Sequence, residues 1–343
     1  MKREKDSPAP SFADILLQWF DLNGRELPWR GTHDPYRIWL SEIILQQTRI
    51  DQGRDYWLRF VGRWPTVADL AQASEDEVLR EWQGLGYYSR ARNLHAAARQ
   101  VVDMGGFPTS PEGLRRLKGV GDYTAAAIAS FAFGVRAAVV DGNVYRVLSR
   151  FFGIDTPINT TGGKRVFAEL AGELLPAERS GDYNQALMDF GATQCTPVSP
   201  ACDACPLAGG CEALASGRVA MLPVKQRTLV VRERRLTYVY IRCQGQTAIR
   251  QRGAGDIWQG LWEPVNVSDD PALEPLLSGS RLLVSGLRHQ LTHRLLLADF
   301  YLLTVDNRPS LPADYVWIDE TRIDDHAIPR LVERLLEVLH DEE

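Results

Sequence analysis

Four of the five cysteines lie within one short segment, and this feature restricts the possible folds of the chain more than any other. Cys195, Cys202, Cys205 and Cys211 are separated by six, two and five residues. A secreted disulfide scaffold distributes its cysteines differently, whereas four thiolates on one loop can surround a soft metal centre. An iron–sulfur cluster, a zinc ion and a disulfide pair are the three alternatives. Cys243, alone in a strand-like run, is expected to pack in a core.

The pattern of apolar residues changes after the cysteine segment, which predicts two domains. From Ser11 to about Leu214 the pattern is helical, with capping signals such as Ser74…Glu77 and Ser110-Pro111. The later runs are β-branched or aromatic and are separated by turn residues. They predict strands over residues 236–243, 246–251, 281–287 and 295–305 and a helix near residues 329–339. We therefore predict an all-α domain over residues 9–218, a linker over 219–233 and an α+β domain over 234–343.

Bulk properties agree with a two-domain protein that stays outside membranes. The chain has 343 residues, of which 45% are hydrophobic, enough for two packed cores. Its longest nearly uncharged apolar stretch, Ala125 to Gly134, is shorter than the roughly 20 residues that cross a bilayer, and the expected location is cytoplasmic. The formal charge of −5 argues mildly against nucleic acid, but arginines cluster over residues 54–63, 90–99 and 115–118, which allows a local basic face.

The segment from Leu117 to Gly121 lies between two helical patterns and contains two glycines, Gly119 and Gly121. Such a turn permits tight backbone geometry and leaves amide N–H groups free to bind a DNA phosphate without reading sequence. A structural turn between helices is the alternative. The small-residue run that follows, residues 125–129, favours close helix packing and precedes a second polar motif at residues 141–143.

Glu42 is aligned with apolar residues on one predicted helical stripe. Ile38, Glu42 and Leu45 are four and three residues apart, so Glu42 is expected to be half buried and its pKa raised. A carboxylic acid that keeps its proton near neutrality can protonate a leaving purine. An ordinary helix glutamate is the alternative, although the polar residues 46–48 that follow on an apolar helix argue against it.

Asp141 precedes the apolar stripe of Val144, Val147 and Leu148 and is expected to cap that helix. A carboxylate at a helix start should keep a low pKa and remain anionic, which suits the stabilisation of an oxocarbenium-like sugar. Glu42 as the acid and Asp141 as the anion would divide the labour in the way glycoside hydrolysis requires.

These motifs together resemble those of the MutY adenine DNA glycosylases. The matching segments are Ser41 to Thr48, Gly119 to Thr124, Asp141 to Val144 and the cysteines with their six, two and five spacing, which resembles the [4Fe-4S] loop of endonuclease III and MutY. One departure is that no proline precedes Asp141. The resemblance implies a helix–hairpin–helix glycosylase domain with a [4Fe-4S] cluster held by the four cysteines, and a Nudix-like second domain.

The resemblance also implies roles for individual residues. Glu42 would protonate adenine, Asp141 would stabilise the cation and Asn143 would hold the active-site network. Tyr123 stands where endonuclease III relatives carry a catalytic lysine, which predicts base removal without efficient strand cleavage. The implied adenine pocket and DNA contacts are Arg25, Leu27, Trp29, Arg30, Gln185, Gln47, Thr48, Leu85 and Tyr88. Spacing alone leaves Tyr87 and Tyr88 equally open to a core role.

The second domain would read 8-oxoguanine opposite the adenine. Its recognition loop in the family is typically Phe-Ser-His, and the corresponding residues here are Leu291, Thr292 and His293, preceded by His289. The implied partner is double-stranded DNA with an adenine opposite 8-oxoguanine or guanine, bound by a monomer in a bacterial-type nucleoid. A glycosylase for another base and a non-catalytic damage binder or redox-responsive protein are the competing hypotheses. The Mg-binding signature of active Nudix pyrophosphatases is absent after Gly260, so we expect no nucleotide hydrolysis.

Overall fold

The protein is described from a computed structural model, which covers residues 10–226 and 231–340. The acidic tail, residues 341–343, and residues 227–230 of the predicted linker lie outside the described residues. The helices are α1 (Phe12–Asn23), α2 (Pro35–Ile44), α3 (Ile50–Arg63), α4 (Val67–Gln72), α5 (Glu75–Glu81), α6 (Ser89–Asp103), α7 (Pro111–Leu114), α8 (Asp122–Phe133), α9 (Gly142–Phe151), α10 (Thr161–Leu174), α11 (Ser180–Thr193), α12 (Glu212–Ala215) and α13 (Arg330–His340). Within the two described ranges, no helix combines the length and the apolar character that a membrane span requires.

The chain divides into two compact units whose limits differ from the predicted domain boundaries. Unit 1 comprises Met1–Trp57 and Arg99–Arg227, and unit 2 comprises Leu58–Ala98 and Thr228–Glu343. Residues 58–98 are helical, as expected, but their contacts group them with the second half of the chain. Helical periodicity identifies the type of an element, whereas the unit it joins depends on which partners it packs against.

Local capping explains where several helices begin. The predicted capping box is present at α5, where Glu77 N donates to Ser74 Oγ at 3.2 Å and Ser74 N donates to Glu77 Oε2 at 2.9 Å. Ser110 caps α7 as predicted, with Pro111 in the first turn. These bonds satisfy amide groups that have no partner within the helix. The cap signals in the sequence therefore marked true helix starts.

One apolar core of unit 1 lies between four of its helices. The core joins α1, α9, α10 and α11 through fully buried side chains, among them Leu16, Leu148, Phe167, Leu187 and Phe190. Helix α2 packs on α8, and α11 packs on both α8 and α9. This arrangement brings Glu42 of α2, the start of α8 and the start of α9 to one cleft.

The second half of unit 2 is a six-stranded mixed sheet with one covering helix, which confirms the predicted fold class. The strands are β1 (Arg232–Arg242), β2 (Gln246–Gln251), β3 (Trp262–Asn266), β4 (Arg281–Gln290), β5 (Arg294–Thr304) and β6 (Tyr315–Asp319), in the order β4-β5-β1-β3-β2-β6. Strands β1 and β5 are parallel, and the other pairs are antiparallel. Helix α13 buries Leu331, Leu335 and Leu339 against β1 and β5.

The four predicted strands and the last helix are confirmed, whereas two strands were missed. Strands β3 and β6 have five residues each, and β3 contains Glu263 and Pro264, which interrupt the alternation that identifies strands. Cys243 is buried next to the β1–β2 turn, as predicted.

Candidate functional site

Glu42 lies in the second half of α2, where every residue from Ile38 to Ile44 is buried, so its side chain is more deeply buried than the apolar stripe predicts. The helix starts at Pro35, and the Asp34 side chain accepts a hydrogen bond from Tyr36 N at 2.9 Å. Ile38 and Glu42 are 2% and 8% exposed, so the acidic residue is buried together with the apolar residue one turn before it. Burial of a carboxyl group disfavours its ionised form.

The hydroxyl group of Tyr123, in the first turn of α8, forms a hydrogen bond with this carboxyl group. Tyr123 Oη donates to Glu42 Oε2 at 2.7 Å. Burial raises the pKa of Glu42 to about 7; the Tyr123 hydrogen bond lowers it, the charge of Asp141 raises it and Arg30 lowers it. Burial also raises the pKa of Tyr123 well above its usual value, so the phenol keeps the proton that it donates. Glu42 can therefore exist in both protonation states near neutral pH.

Asp141 is the N-cap of α9, as predicted. Its Oδ1 accepts hydrogen bonds from Asn143 N and Val144 N, each at 2.8 Å, and its Oδ2 accepts one from Asn143 Nδ2 at 2.8 Å. The expected low pKa is wrong. Burial raises the pKa of Asp141 above its ordinary value, although these hydrogen bonds and the charge of Arg146 oppose the shift. A cap position predicts hydrogen bonds to the anion, but desolvation by packed neighbours outweighs them here.

Asn143 connects Asp141 to a buried arginine that the sequence did not single out. Arg146 Nη2 donates to Asn143 Oδ1 at 2.7 Å, and Arg146 Nε donates to the carbonyl of Cys195 at 2.7 Å. Arg146 is 8% exposed. The signal was available in part, because Arg146 follows Asn143 by three residues and so shares its helix face. Its link to Cys195, 49 residues further along the chain, has no local signal.

A large cleft of about 1320 Å³ in unit 1 contains this pair of carboxyl groups. Its walls carry five arginines and six carboxyl side chains, and Trp29, Tyr123 and Gln185 add aromatic and amide groups that suit a planar ligand. Among the residues predicted for catalysis or base binding, those that line it are Arg25, Leu27, Trp29, Arg30, Glu42, Gln47, Thr48, Tyr123, Asp141, Asn143 and Gln185. Gln47 is exposed and has a left-handed backbone with φ 58°.

Asp189, another residue that sequence reasoning missed, holds the two pocket arginines. Its fully buried carboxylate accepts two hydrogen bonds from the Arg30 guanidinium, both at 2.6 Å, and is ion-paired with Arg25. Burial would raise the pKa of Asp189, but hydrogen bonds from Arg30 and Arg25 outweigh it and lower the pKa. Asp189 therefore stays ionised and orients both guanidinium groups at the cleft wall.

The glycines of the predicted hairpin lie between α7 and α8. Gly119 has φ +76°, a conformation that side chains other than glycine rarely adopt, and Gly121 is the N-cap of α8. No side chain caps this helix start, and both glycines are exposed. The first amide groups of α8 are thus presented at the surface of unit 1, as the hairpin interpretation requires.

In unit 2, the neighbouring tyrosines have opposite environments. Tyr88 is 6% exposed and its hydroxyl accepts a hydrogen bond from Gly84 N at 3.4 Å, whereas Tyr87 is 49% exposed with φ 47°. Leu85 is also buried. The burial of Tyr88 agrees with the core role that spacing left open, and Tyr87 is the one of the two tyrosines whose side chain is accessible.

The predicted recognition residues form the turn between β4 and β5. Thr292 and His293 are exposed, and Tyr87 Oη and Thr292 Oγ1 are 2.5 Å apart. His289 is half buried, with its ring 6.0 Å from that of Trp258, and burial lowers its pKa with help from Arg334 and Arg330. The structure thus brings the Tyr87 turn to the predicted recognition loop.

The four clustered cysteines face one shared cavity in unit 1. All are partly buried free thiols, and burial raises the pKa values of Cys202 and Cys205, with further contributions from the neighbouring thiols. Among the described residues, no three His, Cys, Asp or Glu side chains converge on the position of a single metal ion. The residues fit an iron–sulfur cube, because the cube itself separates its four thiolates.

Three family models match the chain. Residues 40–170 match the HhH-GPD superfamily of base excision DNA repair proteins, residues 195–211 match the iron–sulfur binding domain of endonuclease III, and residues 237–338 match the NUDIX domain. The Cys195–Cys211 loop therefore binds a [4Fe-4S] cluster.

Solved structures share the fold of part of the chain. A thermostable thymine-DNA glycosylase is 33% identical with a TM-score of 0.56, covering 60% of this chain and 95% of that one. A non-covalent endonuclease III–DNA complex is 24% identical with a TM-score of 0.52, covering 60% of this chain and 94% of that one, a likeness of fold alone.

Curated relatives carry the name adenine DNA glycosylase. The rat protein is 43% identical over 240 residues, 63% of this chain and 46% of its own length, and the human protein is 45% identical over 214 residues, 59% and 39% respectively. The chain thus spans less than half the length of these relatives. The protein of Buchnera aphidicola subsp. Schizaphis graminum is 34% identical over 254 residues, which are 73% of each chain. The chain therefore belongs to the adenine DNA glycosylase family within the HhH-GPD superfamily.

Proposed function

We propose that the chain is a monofunctional adenine DNA glycosylase of base excision repair, which hydrolyses the N-glycosidic bond of adenine opposite 8-oxoguanine or guanine. The observation that carries this proposal is the buried carboxyl group of Glu42, whose pKa is raised to about 7. It accepts a hydrogen bond from the Tyr123 hydroxyl and lies in the same cleft as Asp141. Relatives named adenine DNA glycosylase support the choice of base.

The two carboxyl groups divide the chemistry between them. Protonated Glu42 transfers its proton to a ring nitrogen of adenine, and the electron pair of the breaking C–N bond leaves with the base. The sugar acquires oxocarbenium character, which the Asp141 carboxylate stabilises until water attacks. Asn143 and Arg146 position Asp141 and partly offset the burial that raises its pKa.

The cleft accepts a base that has left the DNA stack. Trp29 is buried against Trp57 with ring centroids 5.7 Å apart, and both Trp29 and Leu27 line the pocket, which therefore offers aromatic and apolar surface to a purine. Asp189 orients the guanidinium groups of Arg25 and Arg30 by accepting their hydrogen bonds. These groups and the amide of Gln185 supply directed hydrogen bonds to the base.

Other residues are assigned to DNA contacts outside the pocket. Exposed Gln47 and its neighbour Thr48 border the cleft and suit the wedge that replaces the extruded base. Gly119 and Gly121 would bind a phosphate through the α8 amides. Exposed Tyr87, in place of the buried Tyr88, would contact the orphaned partner base, and Leu85, which the resemblance assigns to the wedge, is itself buried.

The absence of an amine nucleophile supports base removal without strand cleavage. Tyr123 occupies the position implied for a lysine, and the described residues that line the cleft include no lysine. Bifunctional glycosylases cut the strand through a Schiff base, which forms from an amine, and the phenol of Tyr123 has no amine to form one.

Lesion recognition is assigned to the β4–β5 turn of unit 2. Thr292 presents a hydroxyl and His293 an imidazole at an exposed position, and His289 lies at the end of β4.

The proposed ligands of the cluster are the thiolates of Cys195, Cys202, Cys205 and Cys211. When bound, the cluster supplies a covalent cross-link of the loop and a redox-active centre. We further propose that one monomer binds one duplex, in a bacterial-type nucleoid, and retain the domain limits 9–218 and 234–343.

One observation favours a second candidate, excision of thymine. The thermostable thymine-DNA glycosylase is 33% identical to this chain, and its match covers 95% of that protein. The presence of the Nudix-like segment over residues 237–338 and the adenine-specific names of the relatives make adenine the first choice.

Single-turnover cleavage of end-labelled duplexes tests both candidates. The duplexes carry A opposite 8-oxoguanine, A opposite G, A opposite T and T opposite G, and each reaction is divided into alkali-treated and untreated halves. We expect alkali-dependent cutting at A opposite 8-oxoguanine and at A opposite G, with A opposite T intact. Cutting at T opposite G alone would replace adenine by thymine, and cutting without alkali would contradict the monofunctional assignment.

A further inference from the structure

Arg150 is a buried arginine on α9 that lies directly beside the cluster loop. It is 3% exposed, and its Nη1 donates to the carbonyl of Thr196 at 2.7 Å and to Cys195 Sγ at 3.4 Å. Its own carbonyl accepts a hydrogen bond from Cys211 Sγ at 3.6 Å. Arg150 thus contacts the first and the last cysteine of the loop.

The same guanidinium group also holds the chain that follows the loop. Arg150 Nε donates to the carbonyls of Val219 and Leu222 at 3.0 and 3.1 Å, and Nη2 donates to the carbonyl of Pro197 at 3.2 Å. The planar guanidinium group of Arg150 therefore holds the chain on both sides of the cysteine loop against α9. A lysine, with one flexible ammonium group, would form these hydrogen bonds less well.

The charge of Arg150 has no carboxylate partner within the described part of the chain. The acceptors of its hydrogen bonds are neutral carbonyls and a thiol sulfur. A buried cation without an anion is expensive, because it has lost its hydration. Four thiolates around a [4Fe-4S] core carry a net negative charge, so the cofactor supplies the missing counter-charge.

We infer that Arg150 is a buried counter-cation of the [4Fe-4S] cluster and a positioning residue of its loop, and that it contributes to the retention and to the reduction potential of the cluster. The hydrogen bond to Cys195 Sγ stabilises a thiolate, and the four carbonyl contacts hold the loop closed. A nearby cation favours the more negative, reduced form of a redox centre. Loss of the positive charge of Arg150 therefore lowers the reduction potential of the cluster. Loss of the hydrogen bonds that its guanidinium group donates to the loop speeds the release of iron.

The test compares Arg150→Gln and Arg150→Lys with Arg165→Gln, which changes an exposed arginine of α10. Iron content, bleaching of the visible cluster absorbance by a chelator and the reduction potential are measured on the full chain. In Arg150→Gln we expect less iron, about tenfold faster bleaching and a lower potential. In Arg150→Lys the potential stays near that of the wild type while bleaching is still faster. Arg165→Gln matches the wild type.

Two outcomes would overturn the inference. Wild-type iron content, bleaching and potential in Arg150→Gln would show that neither the charge nor the fork acts on the cluster. If Arg150→Gln cannot be purified folded, Arg150→Lys decides: wild-type bleaching contradicts the positioning role, and a markedly lowered potential contradicts the counter-cation role. These readouts do not depend on excision activity, so they can fail while the proposed function holds.

Discussion

Each compact unit buries a glutamate, but the two carboxyl groups differ in their hydrogen-bond donors, which include charged groups in unit 2 and are neutral in unit 1. In unit 2, Glu263 is fully buried and accepts hydrogen bonds from Arg250 Nε at 3.0 Å and from Arg252 Nη1 at 2.5 Å. In unit 1, Glu42 is 8% exposed and accepts one from the neutral Tyr123 hydroxyl, and no cation of the described chain lies within ion-pair distance of it.

The difference shows how a fold separates a structural carboxylate from a chemical one. Two guanidinium groups compensate for the lost hydration of Glu263 and make it part of an ion-pair network that also includes Asp256 and Asp269. Glu42 lacks such compensation, and its pKa of about 7 lets it hold and release a proton near neutrality. We therefore expect changes at Glu42 to affect catalysis first and changes at Glu263 to affect stability first.

The largest expected effect is a fall in the excision rate when Glu42 can no longer donate a proton. Glu42→Gln keeps the side-chain size and removes the titrating group, so the single-turnover rate on A opposite 8-oxoguanine should fall roughly a thousandfold, within the range of general-acid catalysis. Glu169→Gln, an exposed change on α10, is the matched control and should retain the wild-type rate. A Glu42→Gln enzyme with undiminished turnover would refute the catalytic assignment.

The next effect concerns stability in unit 2. Glu263→Gln removes the fully buried carboxylate that Arg250 and Arg252 share, while Asp269 remains paired with both arginines, so the free energy of unfolding should fall by roughly 3 kcal/mol. Urea unfolding followed by tryptophan fluorescence measures it, with Glu169→Gln again as the control. Stability equal to that of the wild type would mean that the ion-pair network does not support the sheet.

The pH dependence of wild-type stability follows from the raised pKa of Glu42. A carboxyl group whose pKa is raised in the folded state binds a proton more tightly when folded, so its stabilisation is complete below the ordinary pKa of 4.5 and is lost as pH rises through about 7. Between pH 5 and 8, the free energy of unfolding should fall by roughly 3 kcal/mol relative to Glu42→Gln. Parallel pH profiles for the two proteins would contradict the raised pKa.

The same proton governs the alkaline side of the rate profile. Above pH 7 the excision rate should decline roughly tenfold per pH unit as Glu42 ionises. On the acid side, protonation of Asp141 removes the anion, and its raised pKa moves that decline to a higher pH than an ordinary aspartate would show. A single-turnover profile that stays flat from pH 6 to 9 would separate Glu42 from the chemical step.

The smallest effect is expected for Tyr123→Phe. The Tyr123 hydrogen bond lowers the pKa of Glu42, so its loss should move the alkaline decline upward by about one pH unit with little change in the rate at pH 6. The profile of the variant under single-turnover conditions measures this shift. A decline that moves to lower pH would mean that Tyr123 does not stabilise the carboxylate.

Tertiary structure alone decided several features of the site. Tyr123 meets Glu42 across 81 positions, Asp189 meets Arg25 across 164, and Tyr87 meets Thr292 across 205. The raised pKa of Asp141 belongs here too, because it depends on how completely other elements exclude water from the carboxyl group.

The features that the sequence by itself determined are those encoded by neighbours within a few positions. The cysteine spacing predicted a cluster loop, and the stripe of Ile38, Glu42 and Leu45 predicted a half-buried acid. The position of Asp141 ahead of the apolar stripe that begins at Val144 predicted a helix cap. Periodicity, capping and ligand spacing are properties of one turn or one loop and can be recognised along the chain. Partners across the fold, the direction in which Tyr87 and Tyr88 point, and the balance between desolvation and hydrogen bonds are set only when distant elements pack together.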